Sequence, residues 1–135
     1  NKAMEQPTYI SLTPNLIIED MAATLHFYTE VLDFQVIASV PESGLADWAM
    51  LQKDDVMLMF QTVDSIKEDM PTLAIQKGMA GTFYCKVKHV QSLFDKVGQH
   101  ANIVVPMRKT FYGMLEFTIQ DLNGFYLTFA EEIIE

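Results

Sequence analysis

The sequence predicts an α+β fold: two tandem β-α-β-β-β modules forming a cupped mixed sheet, with the helices on its convex face. Strand and helix patterns occur twice in the same order, and corresponding residues lie 69 positions apart. A chain of 135 residues is also the length of one ordinary domain. We therefore expect a single domain over residues 1–135, with module one at 8–62, a connection at 63–80 and module two at 81–131.

In module one, the apolar run Leu12–Ile18 predicts the first strand. Asp20 follows as a helix N-cap residue, because its carboxylate accepts hydrogen bonds from the free N–H groups of a first helical turn. The helix itself is indicated by apolar residues spaced four, three and four apart, at Met21, Leu25, Tyr28 and Leu32. Three further strands are predicted at 34–40, 48–51 and 56–61, with turn-forming residues between them.

Module two repeats this order. Thr82–Val87 predicts a strand, and a helical face follows at Val90, Leu93, Phe94 and Val97. Gly98 is expected to end this helix as a left-handed C′ residue, because glycine adopts that conformation without a Cβ clash. The remaining strands are predicted at 103–107, 115–120 and 125–130, with turns at 112–113 and 121–124.

The constant offset is the strongest sign of an internal repeat. It relates Thr13 to Thr82, Val36 to Val105, Leu58 to Leu127 and Phe60 to Phe129, and it also matches Trp48 with Phe117 and Asp20 with His89. An offset without gaps predicts two copies of one supersecondary unit, packed as a pseudosymmetric pair. Two similar but unrelated modules remain the alternative.

Composition excludes several classes of partner. Nine Lys and Arg residues stand against 18 Asp and Glu, a net charge of −9. Nucleic acids and anionic membrane surfaces require basic patches, so neither is an expected partner, whereas a cationic small ligand is compatible. Cys85 is the single cysteine, which excludes an internal disulfide and favours a reduced, cytoplasmic protein. The sequence contains no signal-peptide pattern and no apolar run long enough to span a membrane.

Strand alternation divides each module into two faces. Residues of one parity, such as Leu16 and Phe60, are apolar and should contact the helices. The other parity combines neutral polar, aromatic and methionine side chains, as small-molecule pockets do. On this face the candidate ligand-binding residues are Thr13, Asn15, Met57, Met59, Gln61, Thr82, Tyr84, Lys86, Tyr126 and Thr128. A subunit interface or a semi-polar second core would produce the same pattern.

Three stretches carry a family resemblance. They are Asn15-Leu-Ile-Ile-Glu-Asp-Met21 with Phe27–Tyr28 and Val31–Phe34, then Tyr112-Gly-Met-Leu-Glu-Phe117, then Asp121-Leu-Asn-Gly124. Over residues 8–131 they resemble the vicinal oxygen chelate superfamily, which includes glyoxalase I, extradiol dioxygenases and bleomycin-resistance proteins. The bleomycin-resistance-like members are the most similar. Asp33 departs from a usual glycine, Tyr112 from a tryptophan and Leu115 from an arginine.

The resemblance implies four metal-ligand positions, which fall on Thr13, Met59, Thr82 and Thr128. Neutral hydroxyls and a thioether are poor ligands for the Zn, Ni, Mn or Fe that such sites hold, so we expect no metal and no cofactor. The three histidines, His26, His89 and His100, lie on or beside helices, and Cys85 is expected to face the core. None of these residues is expected to take a catalytic role.

The resemblance therefore implies a metal-free binding protein. It would hold a small aromatic or cationic compound, as in antibiotic or toxin sequestration, within a cleft of a homodimer. Trp48, Phe111 and Tyr112 join the candidate lining as stacking residues. The alternatives are a lyase, isomerase or dioxygenase of the same superfamily, with Lys86 as base and Glu116 as acid, or an accessory module for a protein partner. We expect Lys86 and Glu116 to be solvated charges at strand edges.

Overall fold

The computed structural model describes residues 6–7, 9–76 and 81–134, and module one has the predicted element order. It consists of β1 (Asn15–Ile18), α1 (Met21–His26), β2 (Gln35–Val40), β3 (Trp48–Lys53) and β4 (Val56–Thr62). A π-helical turn, Phe27–Val31, extends α1. As expected, the Asp20 carboxylate caps α1, accepting from the Ala23 N–H at 2.9 Å.

The second half of the described chain starts with a helix and then repeats the module. It consists of α2 (Val63–Asp69), β5 (Thr82–Lys86), α3 (Val90–Val97), β6 (Asn102–Lys109), β7 (Met114–Gln120) and β8 (Tyr126–Glu132). Residues 63–80 were predicted to be a connection, and the helix α2 within this segment was not predicted. Thr62 caps this helix, accepting from the Ser65 N–H at 3.2 Å, and Ile66 is buried. Residues 77–80 of the connection lie outside the described residues.

The two sheets have the same topology. Their strand orders are β1-β4-β3-β2 and β5-β8-β7-β6, four strands each. In each sheet the first strand runs parallel to the last, while the other pairs are antiparallel. The predicted α+β fold with two tandem modules is therefore confirmed.

The repeat is confirmed, but its offset is not constant. Asn15 pairs with Met59 and Tyr84 with Thr128, which preserves the offset of 69. Met50 pairs with Met59, however, and Thr118 with Thr128, so β3 and β7 are offset by 68.

Two predicted correspondences are consequently wrong. Trp48 corresponds to Glu116 rather than to Phe117, since their register partners on β4 and β8 are equivalent. Val36, whose partner is Leu51, corresponds to Ile103 rather than to Val105. The shifts arise because the segments between strands differ in length. The π-helical turn lengthens module one, and register irregularities interrupt β6.

Two element ends also differ from the sequence predictions. The first strand begins at Asn15 rather than Leu12. Gly98 does follow α3, and its N–H donates to the Phe94 carbonyl, but its φ of −59° is right-handed. Residues 98–100 continue as a turn, so a left-handed C′ residue is not required there.

A shared hydrophobic core and a polar seam join the modules. Tyr28, Phe60 and Phe117 are fully buried members of one cluster. The Tyr28 hydroxyl donates to buried Asp121 at 2.8 Å, and burial together with this contact raises the pKa of Tyr28. Asp121 also accepts from two backbone N–H groups of its own turn. The Lys96–Asp33 ion pair adds a second link.

The longest of the described helices has eight residues, and none has the length and hydropathy needed to cross a membrane.

Candidate functional site

An open groove of about 690 Å³ lies on the face of the first sheet that carries Asn15, Trp48 and Gln61. Its floor is formed by β1, β3 and β4, and α2 forms one wall. Nine residues line this acidic groove, namely Asn15, Val40, Asp47, Trp48, Gln61, Ser65, Glu68, Asp69 and Met70. The groove combines an aromatic plane with several carboxylates, which suits a flat cation.

A short polar chain crosses the floor of the acidic groove. The Asn15 amide donates to Gln61 Oε1 at 2.9 Å, and the Gln61 amide donates to Ser65 Oγ at 3.0 Å. Within the described part of the chain, buried Asn15 Oδ1 accepts no hydrogen bond. A buried acceptor without a donor is energetically costly.

Exposed carboxylates give the groove its charge. Asp47 precedes β3, while Glu68 and Asp69 extend from the end of α2. Sequence reasoning identified Trp48, Asn15 and Gln61 but missed Glu68 and Asp69 of α2. The available signal was Thr62 followed by Ser65 and Ile66, an N-cap with one apolar position.

The corresponding face of the second sheet is built around Glu116, only 3% exposed. Tyr84 donates to Glu116 Oε2 at 2.8 Å, while Tyr112 and Arg108 donate to Oε1 at 2.5 and 3.2 Å. These donors come from β5, the β6–β7 turn and β6. The expectation of a solvated charge at position 116 is therefore wrong, because three neighbouring elements cover the carboxylate.

The Glu116 network holds two phenols in their protonated form. Partial desolvation and the hydrogen bond to Glu116 raise the pKa of Tyr84 to about 12. The hydrogen bond to Glu116 also raises the pKa of Tyr112. Further along this face, Thr118 and Thr128 share a hydrogen bond of 2.7 Å. The polar groups of this face thus satisfy one another.

Lys86 takes no part in this network. Its Nζ lies 4.0 Å from Glu132, and both side chains are exposed, as expected for Lys86. In the sheet, Lys86 and Glu116 are both paired with Ala130 on the strand between them. Strand spacing then separates their backbones by roughly 10 Å. The structure does not bring the suggested acid–base pair into contact.

Other predicted residues line a second concavity, which lies between the modules. This inter-module cavity of about 360 Å³ lies between the β1 and β5 edges, and Met57, Tyr84 and Lys86 line it. Of the thirteen predicted ligand-binding residues, the acidic groove therefore receives three and the cavity another three.

The remaining predicted residues are dispersed. Phe111 projects from the β6–β7 turn with 99% exposure and touches the Tyr112 ring edge-on. Thr13 precedes β1, and Met59 pairs with Asn15 in the first sheet. Thr82 is paired with Tyr126 at the start of β5 and β8.

The four positions at which the resemblance places metal ligands do not fit a divalent cation. Thr13, Thr82 and Thr128 offer neutral hydroxyls, and the hydroxyl of Thr128 is already engaged by Thr118. Met59 offers a thioether, which suits Cu(I) rather than a hard metal. Across residues 6–7, 9–76 and 81–134, no three His, Cys, Asp or Glu side chains are grouped to hold a metal.

Comparison with known proteins gives one family. The sequence profile described as Glyoxalase/Bleomycin resistance protein/Dioxygenase superfamily matches residues 10–129. Comparison with curated protein sequences gave no match.

Solved structures give the same fold. TioX from Micromonospora sp. ML1 is 18% identical, with coverage of 93% of this chain and 100% of its own and a TM-score of 0.72. A glyoxalase-related enzyme from Fulvimarina pelagi is 16% identical. The match covers 93% of this chain and 89% of that enzyme, with a TM-score of 0.75. A glyoxalase/bleomycin resistance protein/dioxygenase family enzyme from Burkholderia phytofirmans PsJN is 16% identical. The match covers 90% of this chain and 97% of that enzyme, with a TM-score of 0.73.

Proposed function

Since the chain belongs to the glyoxalase/bleomycin resistance protein/dioxygenase superfamily, we propose that it is a metal-free member that binds a small, flat, cationic aromatic compound. Binding takes place in the acidic groove and sequesters an antibiotic or toxin. The supporting observation is the composition of that groove, where Trp48 stands among Asp47, Glu68 and Asp69.

Each part of the groove has a distinct role in this proposal. The indole of Trp48 stacks on the ligand, and a ligand cation adds an attraction of about 0.5–2 kcal/mol to the ring face. The carboxylates of Glu68 and Asp69 attract the cation, weakly because both are exposed and screened by salt. Met70 provides an adaptable apolar contact at the rim.

The single tryptophan of the chain makes the proposal directly measurable. Methyl viologen, a flat aromatic dication, is titrated while Trp48 fluorescence is recorded, and the neutral bipyridine of the same ring system is the control. We expect quenching by the dication with at least about tenfold tighter binding than by bipyridine, weakening as salt rises. Bleomycin is titrated in the same way. Equal affinities for the charged and neutral probes would refute a cation site.

Removal of charges on α2 tests whether the ligand binds in the acidic groove. Glu68→Gln with Asp69→Asn should weaken methyl viologen binding about three- to tenfold, because two screened attractions are lost. Asp64→Asn is the matched control, since Asp64 is an exposed acid of the same helix that does not line the groove. A comparable loss in the control would point to the general acidity of the protein rather than to this groove.

Metal analysis of the purified protein tests the metal-free part of the proposal. We expect substoichiometric Ni, Zn, Fe and Mn. A stoichiometric amount of any of them would instead favour an enzyme of the superfamily with displaced ligands.

We further propose that the protein is a homodimer, since closed two-fold dimers are the commonest oligomers and an exposed Phe111 would be covered by a second copy. Sedimentation velocity across a range of protein concentrations tests this. A strictly monomeric profile would count against it.

A further inference from the structure

The inter-module cavity is separate from the acidic groove and has a different chemistry. It opens between the β1 edge and the β5 edge, and its volume of about 360 Å³ is within the range of ligand pockets. Its walls are mostly apolar. They come from both modules and include Leu16, Phe34, Phe83 and Leu127.

The tyrosines that line the cavity have no free hydrogen-bonding capacity to donate there. Tyr28 donates its hydroxyl proton to Asp121, and Tyr84 donates to Glu116. The cavity interior therefore favours a hydrocarbon over a polar compound.

A lysine side chain lies at this cavity. Lys86 contributes to its lining and keeps its ammonium group in solvent, 4.0 Å from the exposed carboxylate of Glu132. A pair at that distance between two exposed groups is weak, so Lys86 remains able to attract another anion. An apolar interior with a lysine at its mouth complements an amphiphile with a negative head.

From this geometry we propose that the inter-module cavity binds an aliphatic monocarboxylate, with the alkyl chain between the two modules and the carboxylate at Lys86. This site is independent of the acidic groove, which attracts the opposite charge. The chain would thus hold two ligands of different chemistry on different surfaces.

Cys85 provides a reporter inside the proposed site. It is the single cysteine of the chain, it lines the cavity, and it is partly buried. Burial raises the pKa of its thiol, so alkylation by N-ethylmaleimide is measured at one fixed pH. A ligand in the cavity covers the thiol.

The experiment compares decanoate, decanol and decylamine by calorimetry and by the rate of Cys85 alkylation. We expect decanoate to bind with a stoichiometry of one per chain and, well above its Kd, to slow alkylation on the order of tenfold. Decylamine should bind more weakly than decanol. Methyl viologen should leave the alkylation rate unchanged, so failure of this site is distinguishable from failure of the acidic groove.

Two variants test the position of the carboxylate head. Lys86→Met should weaken decanoate binding about three- to fivefold and leave decanol binding unchanged, whereas Lys88→Met, an exposed lysine outside the cavity lining, should change neither. Leu12→Asp places a negative charge at the cavity rim, where the native side chain is 89% exposed. It should weaken decanoate more than decanol.

Three results would overturn the proposal. Decanoate binding without protection of Cys85 would place the ligand elsewhere. Equal binding of decylamine and decanoate would remove the role of Lys86. Protection that develops on raising the protein concentration alone would identify a second copy of the chain as the occupant.

Discussion

The two sheet faces place different side chains at corresponding positions of the same topology. Trp48 in module one corresponds to Glu116 in module two, and Asn15 corresponds to Tyr84. In module two the corresponding pair is joined by the Tyr84–Glu116 hydrogen bond, so these two polar groups satisfy each other. In module one Asn15 instead pairs with Gln61, which leaves Trp48 in an open groove and Asn15 Oδ1 without a donor.

This difference indicates a division of labour within one repeated unit. A buried carboxylate with three donors stabilises the fold through those hydrogen bonds, and its partners have little freedom to bind anything else. The open face leaves Asn15 Oδ1 unsatisfied, which costs stability, and it keeps Trp48 beside exposed carboxylates that a ligand can reach. Four substitutions test whether stability and binding are separated in this way.

The largest effect is expected at Glu116. Glu116→Ala leaves Tyr84, Tyr112 and Arg108 without their acceptor, and should lower the free energy of unfolding by about 2–4 kcal/mol. Urea denaturation measures the change. Glu116→Gln keeps one acceptor oxygen and should lose less. A loss below about 1 kcal/mol for Glu116→Ala would show that the network is not what stabilises this face.

The next effect is on binding rather than stability. Trp48→Ala should weaken methyl viologen binding about tenfold, because stacking and cation–π attraction are both lost. The free energy of unfolding should fall by only about 1 kcal/mol, since Trp48 is partly exposed. Calorimetry replaces fluorescence here because the variant has no tryptophan. Trp48→Phe keeps an aromatic ring and should retain most of the affinity.

Tyr84→Phe should have a smaller effect, about 1 kcal/mol or less, since it removes one partly exposed hydrogen bond. The contribution depends on pH. Because folding raises the pKa of Tyr84 from 10.0 to about 12, its stabilisation is complete below pH 10 and is lost as the pH rises toward 12. Beside Tyr28 and Tyr112, whose pKa values are also raised, ultraviolet titration of the wild type should show a further late phenol that is absent from Tyr84→Phe. In Glu116→Gln that phenol should titrate earlier.

The smallest effect is expected at Asn15, the counterpart of Tyr84. Asn15→Ala removes the donor to Gln61 but also removes a buried acceptor that has no partner, and these contributions oppose each other. The free energy of unfolding should change by only about 0.5 kcal/mol, measured in the same urea series. A loss as large as that of Glu116→Ala would contradict the division between the two faces.

The sequence predicted the features that depend on local periodicity. Alternation placed Leu16 and Phe60 toward the helices, and spacing located α1 and α3, because each pattern reports one element's own buried face. The repeat was recognisable for the same reason.

Features that depend on contacts between elements were not predictable in this way. Glu116 occupies an ordinary strand position, and its burial results from side chains of β5, β6 and the β6–β7 turn. The one-residue shift between Trp48 and Glu116 follows from the different lengths of the segments that join the strands rather than from any residue pattern. The helix α2 has a single buried residue, Ile66, within a polar segment, which gave too weak a periodicity.

The hydrogen bond from Tyr28 to Asp121 has a consequence for how the chain unfolds. Asp121 organises the β7–β8 turn of module two while it receives the hydroxyl of a fully buried residue of module one. Separating the modules would expose the aromatic ring and leave a carboxylate and a phenol to find water instead. We therefore expect that neither half folds alone and that the 135-residue chain melts in one cooperative transition despite its duplicated architecture.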